Sequence, residues 1–262
     1  MKPPLTYYGG KQQLSKIILS LIPKHTLYCE PFFGGGAIFF AKPISALEII
    51  NDSNGELINF YRTLKTDFKS LQKEITSTLH SRNAHYRAIV INSHPDLFTA
   101  LQRAWAIWVL ANQSFASKLN GSWGYDRTKN KSAKQLASKR DSFKKALLKR
   151  IENTQIECAD ALEVFKSRDS KTAFFYCDPP YFNSHKGHYK DYDKEDFQNL
   201  LDLLSKLKGK FLLSSYTSDI LSQYSKRNKW YTNKINMPIA ISTHPEVKKK
   251  RKIEVLTANF PI

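Results

Sequence analysis

The spacing of its β-forming runs constrains this chain most. TLYCEPF (26–32), LEIIND (47–52), IECAD (156–160), TAFFYCD (172–178) and KFLLSSY (210–216) are short, apolar and rich in β-formers. Helical patterns alternate with them, as in QNLLDLLSKLKG (198–209), whose leucines recur at helical spacing and whose Gly209 fits a C-terminal stop. Such alternation predicts βαβ units around a mostly parallel sheet. WYTNKINM (230–237) and KIEVLTANF (252–260) read as a closing antiparallel pair.

One interval breaks that rhythm. A crossover between neighbouring strands ordinarily closes within a few dozen residues, yet from Phe60 to about Arg150 no strong strand signal occurs. TALQRAWAIWVLANQSF (99–115) has an apolar face, and KSAKQLASKRDSFKKALLKRI (131–151) reads as a helix with lysines and arginines over a leucine-bearing stripe. The expected architecture is an α/β unit built from residues 1–60 and 151–262, with an inserted, mainly helical region at 61–150. Long extra helices laid over the sheet are the alternative.

The insertion is basic, and so is the whole chain: 41 Lys and Arg against 23 Asp and Glu give +18 over 262 residues. A phosphate backbone rewards a field of that sign, although a membrane surface or plain solubility also accounts for it. No apolar run reaches the roughly eighteen residues of a membrane span, and the N-terminal MKPPLTYYGGK lacks the apolar stretch of a signal peptide. A cytoplasmic protein is expected, bacterial or phage-encoded and close to the nucleoid. Cys29, Cys158 and Cys177 lie far apart without CxxC pairing, which argues for reduced strand residues rather than a disulfide framework or a zinc site.

CEPFFGGGAIFF (29–40) sets three glycines directly after the first strand and before an apolar helical start. Glycines there let backbone approach a ligand, and the helix start offers N–H groups. The spacing is not GxGxxG, and YYGGK (7–11) is not a phosphate-binding loop. Asp52, ending the second strand, suits ribose hydroxyls; capping the following helix is its alternative. Glu30 can meet the amino end of a bound amino acid, and Asp160 an adenine amino group. Acidic strand ends around a glycine turn suit a cationic nucleoside, S-adenosylmethionine, better than a dinucleotide.

The fourth strand ends in Asp178-Pro179-Pro180-Tyr181. An exocyclic adenine amine is a poor nucleophile, because its lone pair is delocalised into the ring. The Asp178 carboxylate and the Pro179 carbonyl can each accept one N6 hydrogen and favour a pyramidal nitrogen. Prolines, with fixed φ and no N–H, hold that carbonyl in place. Tyr181 can stack on the base and Phe182 can line the pocket. A turn aspartate before a proline is the plain alternative for Asp178. The chemistry calls for positioning and preorganised acceptors, with no metal and no covalent intermediate.

Together TYYGGK (6–11), EPFFGGG (30–36), NDSNGELINFY (51–61), YCDPPYF (176–182) and EVLTAN (254–259) resemble the Dam-like, D12-class adenine-N6 DNA methyltransferases of the alpha arrangement. The resemblance runs nearly the length of the chain and rests on the order of the motifs, with DPPY late. It implies a Rossmann-like S-adenosylmethionine-dependent methyltransferase sheet with a closing antiparallel strand. It also implies a target-recognition domain between the cofactor half and the catalytic half. Position by position, it matches Tyr7 to an aromatic against the cofactor adenine and Lys11 to a lysine near the active site. Phe32, Gly34 and Gly36 match the cofactor loop, Asp52 the ribose ligand, and Asp160 the adenine contact. Asp178, Pro179, Pro180 and Tyr181 match the catalytic tetrapeptide. Plain core aromatics are the alternative reading of Tyr7 and Phe32. Within 83–150, only RAWAIWVLANQSF (103–115) resembles the family.

The implied reaction methylates N6 of an adenine flipped from double-stranded DNA, leaving S-adenosylhomocysteine. Cytosine N4, RNA adenine, a protein amide, or a catalytically silent DNA-binding relative are the alternatives. For DNA contact the sequence offers Trp123, Tyr125, Arg127, Lys129 and Lys131 on a loop, and Lys248, Lys249, Lys250 and Arg251 in KKKRK (248–252). A solvated basic loop is the bland reading of the first set. His185 and His188 with Asp191 and Asp193 invite a metal, but a flap over the flipped base, with Tyr189 and Tyr192 on its inner face, fits the position after DPPY better. A monomer is expected, with room for a cognate restriction endonuclease acting on the same sequence.

Overall fold

A computed structural model describes residues 1–183, 192–238 and 251–262. A 3-10 turn at Lys11–Gln13 precedes α1 (Ser15–Leu21), β1 (Leu27–Glu30), α2 (Ala37–Ala41), β2 (Leu47–Asn51) and α3 (Gly55–Thr66). Four helices and a fifth short one follow: α4 (Phe68–Ser77), α5 (Arg82–Ser93), α6 (Ala100–Gln113), α7 (Lys131–Ser142) and α8 (Lys145–Ile151). Then come β3 (Gln155–Glu157), α9 (Ala161–Arg168), β4 (Ala173–Cys177), α10 (Lys194–Leu204), β5 (Lys210–Tyr216), α11 (Asp219–Arg227), β6 (Tyr231–Pro238) and β7 (Arg251–Ala258). The chain packs as two compact units. The first holds Met1–Ser20, Phe33–Ile44 and Asp52–Cys158; the second holds Leu21–Phe32, Ser45–Asn51 and Ala159–Ile262.

In the second unit six strands lie in the order β2-β1-β4-β5-β7-β6. The first four are parallel, and β7 joins β5 and β6 antiparallel. Strand β4 is buried at every residue, as its unbroken apolar run requires of a strand covered on both faces. Phe165, Phe175, Leu201, Phe211 and Leu213 are among the residues of its core. Helix α10 starts on a reciprocal cap, Asp193 accepting from Asp196 N–H while the Asp196 carboxylate accepts from Asp193 N–H. It ends at Leu204 with Ser205 as its cap, so Gly209 is not the stop expected of it. Gly209 instead leads into β5, where its N–H donates to the Asp169 carboxylate at 2.8 Å. A Cβ there would sit 2.9 Å from the Ser170 and Ala173 carbonyl oxygens, and this explains the glycine.

The first unit is built around α6, which is buried without interruption from Ala106 to Ala111. A helix apolar on all sides belongs in an interior, and α3, α4 and α5 pack against it. Thr99 and Gln102 cap it reciprocally, and Arg103 grips Glu56 of α3 through two N–H donors at 2.9 and 2.5 Å. Residues 131–151, expected as one helix, are two. The break at Phe143 turns that ring inward, where it is buried and stacks on Phe68 with centroids 5.6 Å apart. Burial of one aromatic outweighs a few residues of helical continuity. Residues 61–150 all fall inside this first unit.

Candidate active site

In the first unit the glycine turn is a close-packed device. Gly34 and Gly36 have φ of +51° and +66°, conformations that favour glycine. A Cβ on Gly35 would lie 2.8 Å from Tyr7 Cβ, one on Gly34 would lie 3.2 Å from the Tyr7 ring, and one on Gly36 would lie 2.6 Å from Phe33 Cζ. The three glycines thus seat Tyr7 on one side and Phe33 on the other. The Gly34 peptide is held at both ends: its N–H donates to Asp52 Oδ2 at 2.9 Å, and its carbonyl accepts from the Tyr61 hydroxyl at 3.0 Å. Tyr61, buried among Phe33, Phe40 and Phe60, had no role in the sequence reading. Its place in NDSNGELINFY was the available signal.

Asp52 does not cap α3. Asn54 does, accepting from Glu56 and Leu57 N–H. The Asp52 carboxylate takes Asn54 N–H on Oδ1 at 3.0 Å and Gly34 N–H on Oδ2. Desolvation outweighs those two hydrogen bonds and raises its pKa from the usual carboxylate range. A carboxylate offers about four lone-pair sites, so each oxygen keeps acceptor capacity for a further hydroxyl. Lys11 is buried, and its ammonium donates to the Gly9 carbonyl at 3.1 Å. Two of the N–H groups expected for a ligand are used internally, Gly34 N–H by Asp52 and Gly36 N–H by the Phe33 carbonyl at 2.9 Å.

In the second unit the strand ends are tied by Asn51, which sequence reasoning missed. This fully buried amide donates to the Pro31 and Ala159 carbonyls at 3.0 Å each and accepts Ala159 N–H at 2.9 Å. Asp160, next in line, is exposed and caps α9, its Oδ1 accepting Leu162 N–H at 2.8 Å and Glu163 N–H at 3.3 Å. Glu30 is buried and accepts the Tyr28 hydroxyl at 2.5 Å. Burial, then the Glu30 carboxylate, push the Tyr28 pKa well above its ordinary value. Phe32 packs on the rings of Phe165 and Tyr192, each with centroids 6.5 Å away, and Phe182 stacks on Phe197 at 5.2 Å.

Asp178 follows the buried β4 and is half-buried itself, as is Tyr181. Among the described residues the Tyr181 hydroxyl lies near Glu254 Oε1, which is the nearest, Ser214 Oγ at 3.1 Å and Asp178 Oδ1 at 3.3 Å. Its ring stands edge-on to Tyr216 with centroids 4.4 Å apart. Burial comes first, then the Asp178 and Glu254 carboxylates, in raising the Tyr181 pKa well above the phenol range. The buried Tyr176 phenol is shifted the same way by burial, then by Asp178, Glu30 and Glu254. Three carboxylates therefore act on one interior phenol. Glu254 was read only as part of EVLTAN.

The loop bearing the expected DNA contacts lies in the first unit. Trp123 bridges Ser114, and Gly124 N–H donates to the Gln113 carbonyl at 2.8 Å, which docks the loop on the end of α6. Trp123 is half-buried between the His80 ring, 5.0 Å away, and the exposed Arg82 guanidinium, 4.8 Å from its centroid. Tyr125 stacks on Trp123 at 5.5 Å and is exposed, as are Arg127, Lys129 and Lys131. Asp126 accepts Ser132 N–H at 2.5 Å, and that bond leads the causes lowering its pKa. Lys248, Lys249 and Lys250 lie outside the described residues, as do His185, His188, Tyr189 and Asp191; Arg251 begins β7. Among the described residues no group of three His, Cys, Asp or Glu could hold a metal ion, and no helix is long and apolar enough to cross a membrane.

The family described as D12 class N6 adenine-specific DNA methyltransferase matches residues 7–253. The chain is 30% identical over 247 residues to the type II methyltransferase M1.LlaDCHI of Lactococcus lactis subsp. cremoris, covering 85% of this chain and 84% of that one. It is 27% identical over 226 residues to the type II methyltransferase M.MjaIII of Methanocaldococcus jannaschii, covering 76% of each. With the DNA adenine methylase of Vibrio cholerae it shares 26% identity over 186 residues, 68% of this chain and 64% of the other.

Proposed function

The chain belongs to the D12 class of N6 adenine-specific DNA methyltransferases, which transfer a methyl group from S-adenosylmethionine to adenine N6 in DNA within an S-adenosylmethionine-dependent methyltransferase fold; from that premise we propose how its residues divide the work. The observation that carries the assignment is the end of β4. There Asp178 leaves a fully buried strand, and the tyrosine of the same tetrapeptide is anchored by its hydroxyl.

Asp178 accepts one N6 hydrogen of the target adenine, and the Pro179 carbonyl accepts the other. Both acceptors are set before the base arrives, so little reorganisation is needed as charge develops. Tyr181, with its hydroxyl anchored and one side on Tyr216, is a fixed plane for the flipped base to stack on. Tyr7, Gly34, Gly36 and Asp52 serve the cofactor, Asp52 through acceptor capacity left for ribose hydroxyls. Lys11, Glu30, Phe32 and Asp160 are assigned to the same ligand, Glu30 toward the amino acid end and Asp160 toward the base. When bound, S-adenosylmethionine supplies the activated methyl on a sulfonium centre.

Residues 61–150 act as the target-recognition region, with the loop from Trp123 to Lys131 on double-stranded DNA and the KKKRK run contacting phosphate. The protein acts as a cytoplasmic monomer of bacterial or phage origin. A restriction endonuclease reading the same sequence is its functional counterpart, a role suggested by the type II relatives.

The test is to incubate purified protein with labelled cofactor and duplex DNA, then digest to nucleosides. Label in N6-methyladenine is expected; label in N4-methylcytosine, in RNA or in protein would overturn the substrate assignment. Asp178→Ala should keep DNA and cofactor binding while turnover falls by about 10²–10³, the loss typical of one preorganised group.

A further inference from the structure

Glu254 lies one residue beyond the segment that matches the family. It is a carboxylate with 1% exposure on β7, beside Ser214 of β5, which is fully buried. Its Oε1 receives the Ser214 hydroxyl at 2.8 Å and also the Tyr181 hydroxyl. That phenol has one proton to give, and among the described residues Glu254 Oε1, Ser214 Oγ at 3.1 Å and Asp178 Oδ1 at 3.3 Å stand within reach of it.

From this competition we propose that Glu254 is a positioning residue, which holds the Tyr181 hydroxyl proton away from Asp178. The inference rests on the reading of Asp178 as the acceptor of the adenine amine. A carboxylate that already accepts a hydrogen bond from a nearby phenol is a weaker acceptor for N6–H, because the first bond draws off part of its negative charge. Glu254 takes that proton instead, and Ser214 fixes the Glu254 oxygen that does so. The charges around the phenol make the arrangement consequential. Its pKa stands well above the ordinary range through burial, then through Asp178 and Glu254, so the proton stays on the phenol and only its direction is at issue.

Replacing Glu254 by glutamine keeps the size and supplies an amide N–H that can donate to the Tyr181 oxygen. The phenol proton is then released from Glu254, with Ser214 Oγ and Asp178 Oδ1 as the described acceptors left within reach of it. Steady-state methylation by Glu254→Gln should show kcat reduced about tenfold or more, with the cofactor Kd and the KM for DNA within about twofold, since one charge-assisted hydrogen bond is redirected. The discriminating variant is the double one. Tyr181→Phe in the Glu254→Gln background deletes the misdirected hydroxyl and should raise kcat above that of Glu254→Gln alone. A merely structural role for Glu254 predicts the opposite, a further fall, because two interior contacts are then lost. Should Glu254→Gln fail to fold by thermal melt, Ser214→Ala loosens the same oxygen and should give a smaller kcat loss that Tyr181→Phe again relieves.

Wild-type kcat in Glu254→Gln, or no recovery in either double variant, overturns this inference and leaves the assignment of the reaction standing. Absence of N6-methyladenine with the parent protein overturns both.

Discussion

Gly34 N–H donates to Asp52 Oδ2 at 2.9 Å, so the glycine turn and the residue after β2 are one hydrogen-bonded unit. Asp52 therefore has a task beyond the proposed ribose contact: it shapes the turn while keeping acceptor capacity for a further hydroxyl. Asp52→Ala should raise the cofactor Kd about tenfold or more, through loss of both a direct hydrogen bond and the geometry of the turn. At saturating cofactor, kcat should stay within a few-fold of the parent, because the residue is assigned no contact at the reacting atoms. Titration by calorimetry separates the two quantities, and an unchanged Kd would leave Asp52 only its role in the turn.

Substitutions in this turn and in the one that holds Gly9 distinguish crowding from backbone strain. Gly36 and Gly9 both have positive φ, +66° and +74°, yet a Cβ at Gly36 would meet Phe33 Cζ at 2.6 Å, whereas one at Gly9 would meet nothing within 4 Å. Gly9→Ala should cost only the strain of a left-handed residue, about 1–2 kcal/mol. Gly36→Ala adds overpacking, about 1–3 kcal/mol more. Thermal melts should rank Gly36→Ala below Gly9→Ala by several degrees, at about 2–4 °C per kcal/mol for a chain of this size. Equal melting temperatures would mean that Phe33 yields without cost.

Lys139 on α7 supplies a pH signature. Its ammonium is 3.5 Å from the Pro3 carbonyl, and burial, then the charge of Lys2, lower its pKa from 10.5 to about 8. For a base with a depressed folded pKa, the folded state prefers the neutral amine. That preference stabilises fully above the unfolded value of 10.5 and is lost as pH falls through about 8. At pH 7 the folded protein therefore carries the cost of a desolvated charge. Lys139→Met should raise the melting temperature at pH 7 by about 2 °C or more, and the gain should shrink between pH 8 and pH 10.5. A gain that is constant with pH would trace to added apolar packing instead.

Much of the second unit was legible because β1, β2, β4 and β5 are largely buried and so are written as plain apolar runs. KFLLSSY coincides with β5 residue for residue, and TAFFYCD brackets β4. The misreadings share one physical source, the tertiary partner of a local signal. Gly209 looks like a helix stop, but the carbonyl oxygens of Ser170, before β4, and of Ala173, its first residue, are what exclude a side chain there. The stretch from Lys131 to Ile151 has an unbroken helical composition, and only the Phe68 ring shows why it turns at Phe143. Asn51 and Glu254 are invisible for the same reason. A buried amide and a buried carboxylate are placed by partners far along the chain, Ala159 and Tyr181, and spacing alone cannot announce them.

The loop proposed to contact DNA runs from Trp123 to Lys131. Its two kinds of residue are physically distinct: Trp123 is half-buried and gripped by His80 and Arg82, whereas Arg127, Lys129 and Lys131 are exposed. Replacing the three cations by alanine should weaken binding to any duplex and reduce the slope of log Kd against log salt by about one for each lost phosphate contact. Cofactor affinity should not change. Arg82→Ala removes a cation that also holds the Trp123 and Tyr125 rings, 4.8 and 5.7 Å from their centroids. It should therefore lower the salt slope and, in addition, loosen sequence preference, as Trp123→Ala should without the change in slope. Fluorescence anisotropy over a salt series, on a methylatable duplex and a scrambled one, measures slope and preference together. If the triple variant keeps the parent slope, or if Arg82→Ala and Trp123→Ala keep the parent preference, the DNA is bound elsewhere on the protein.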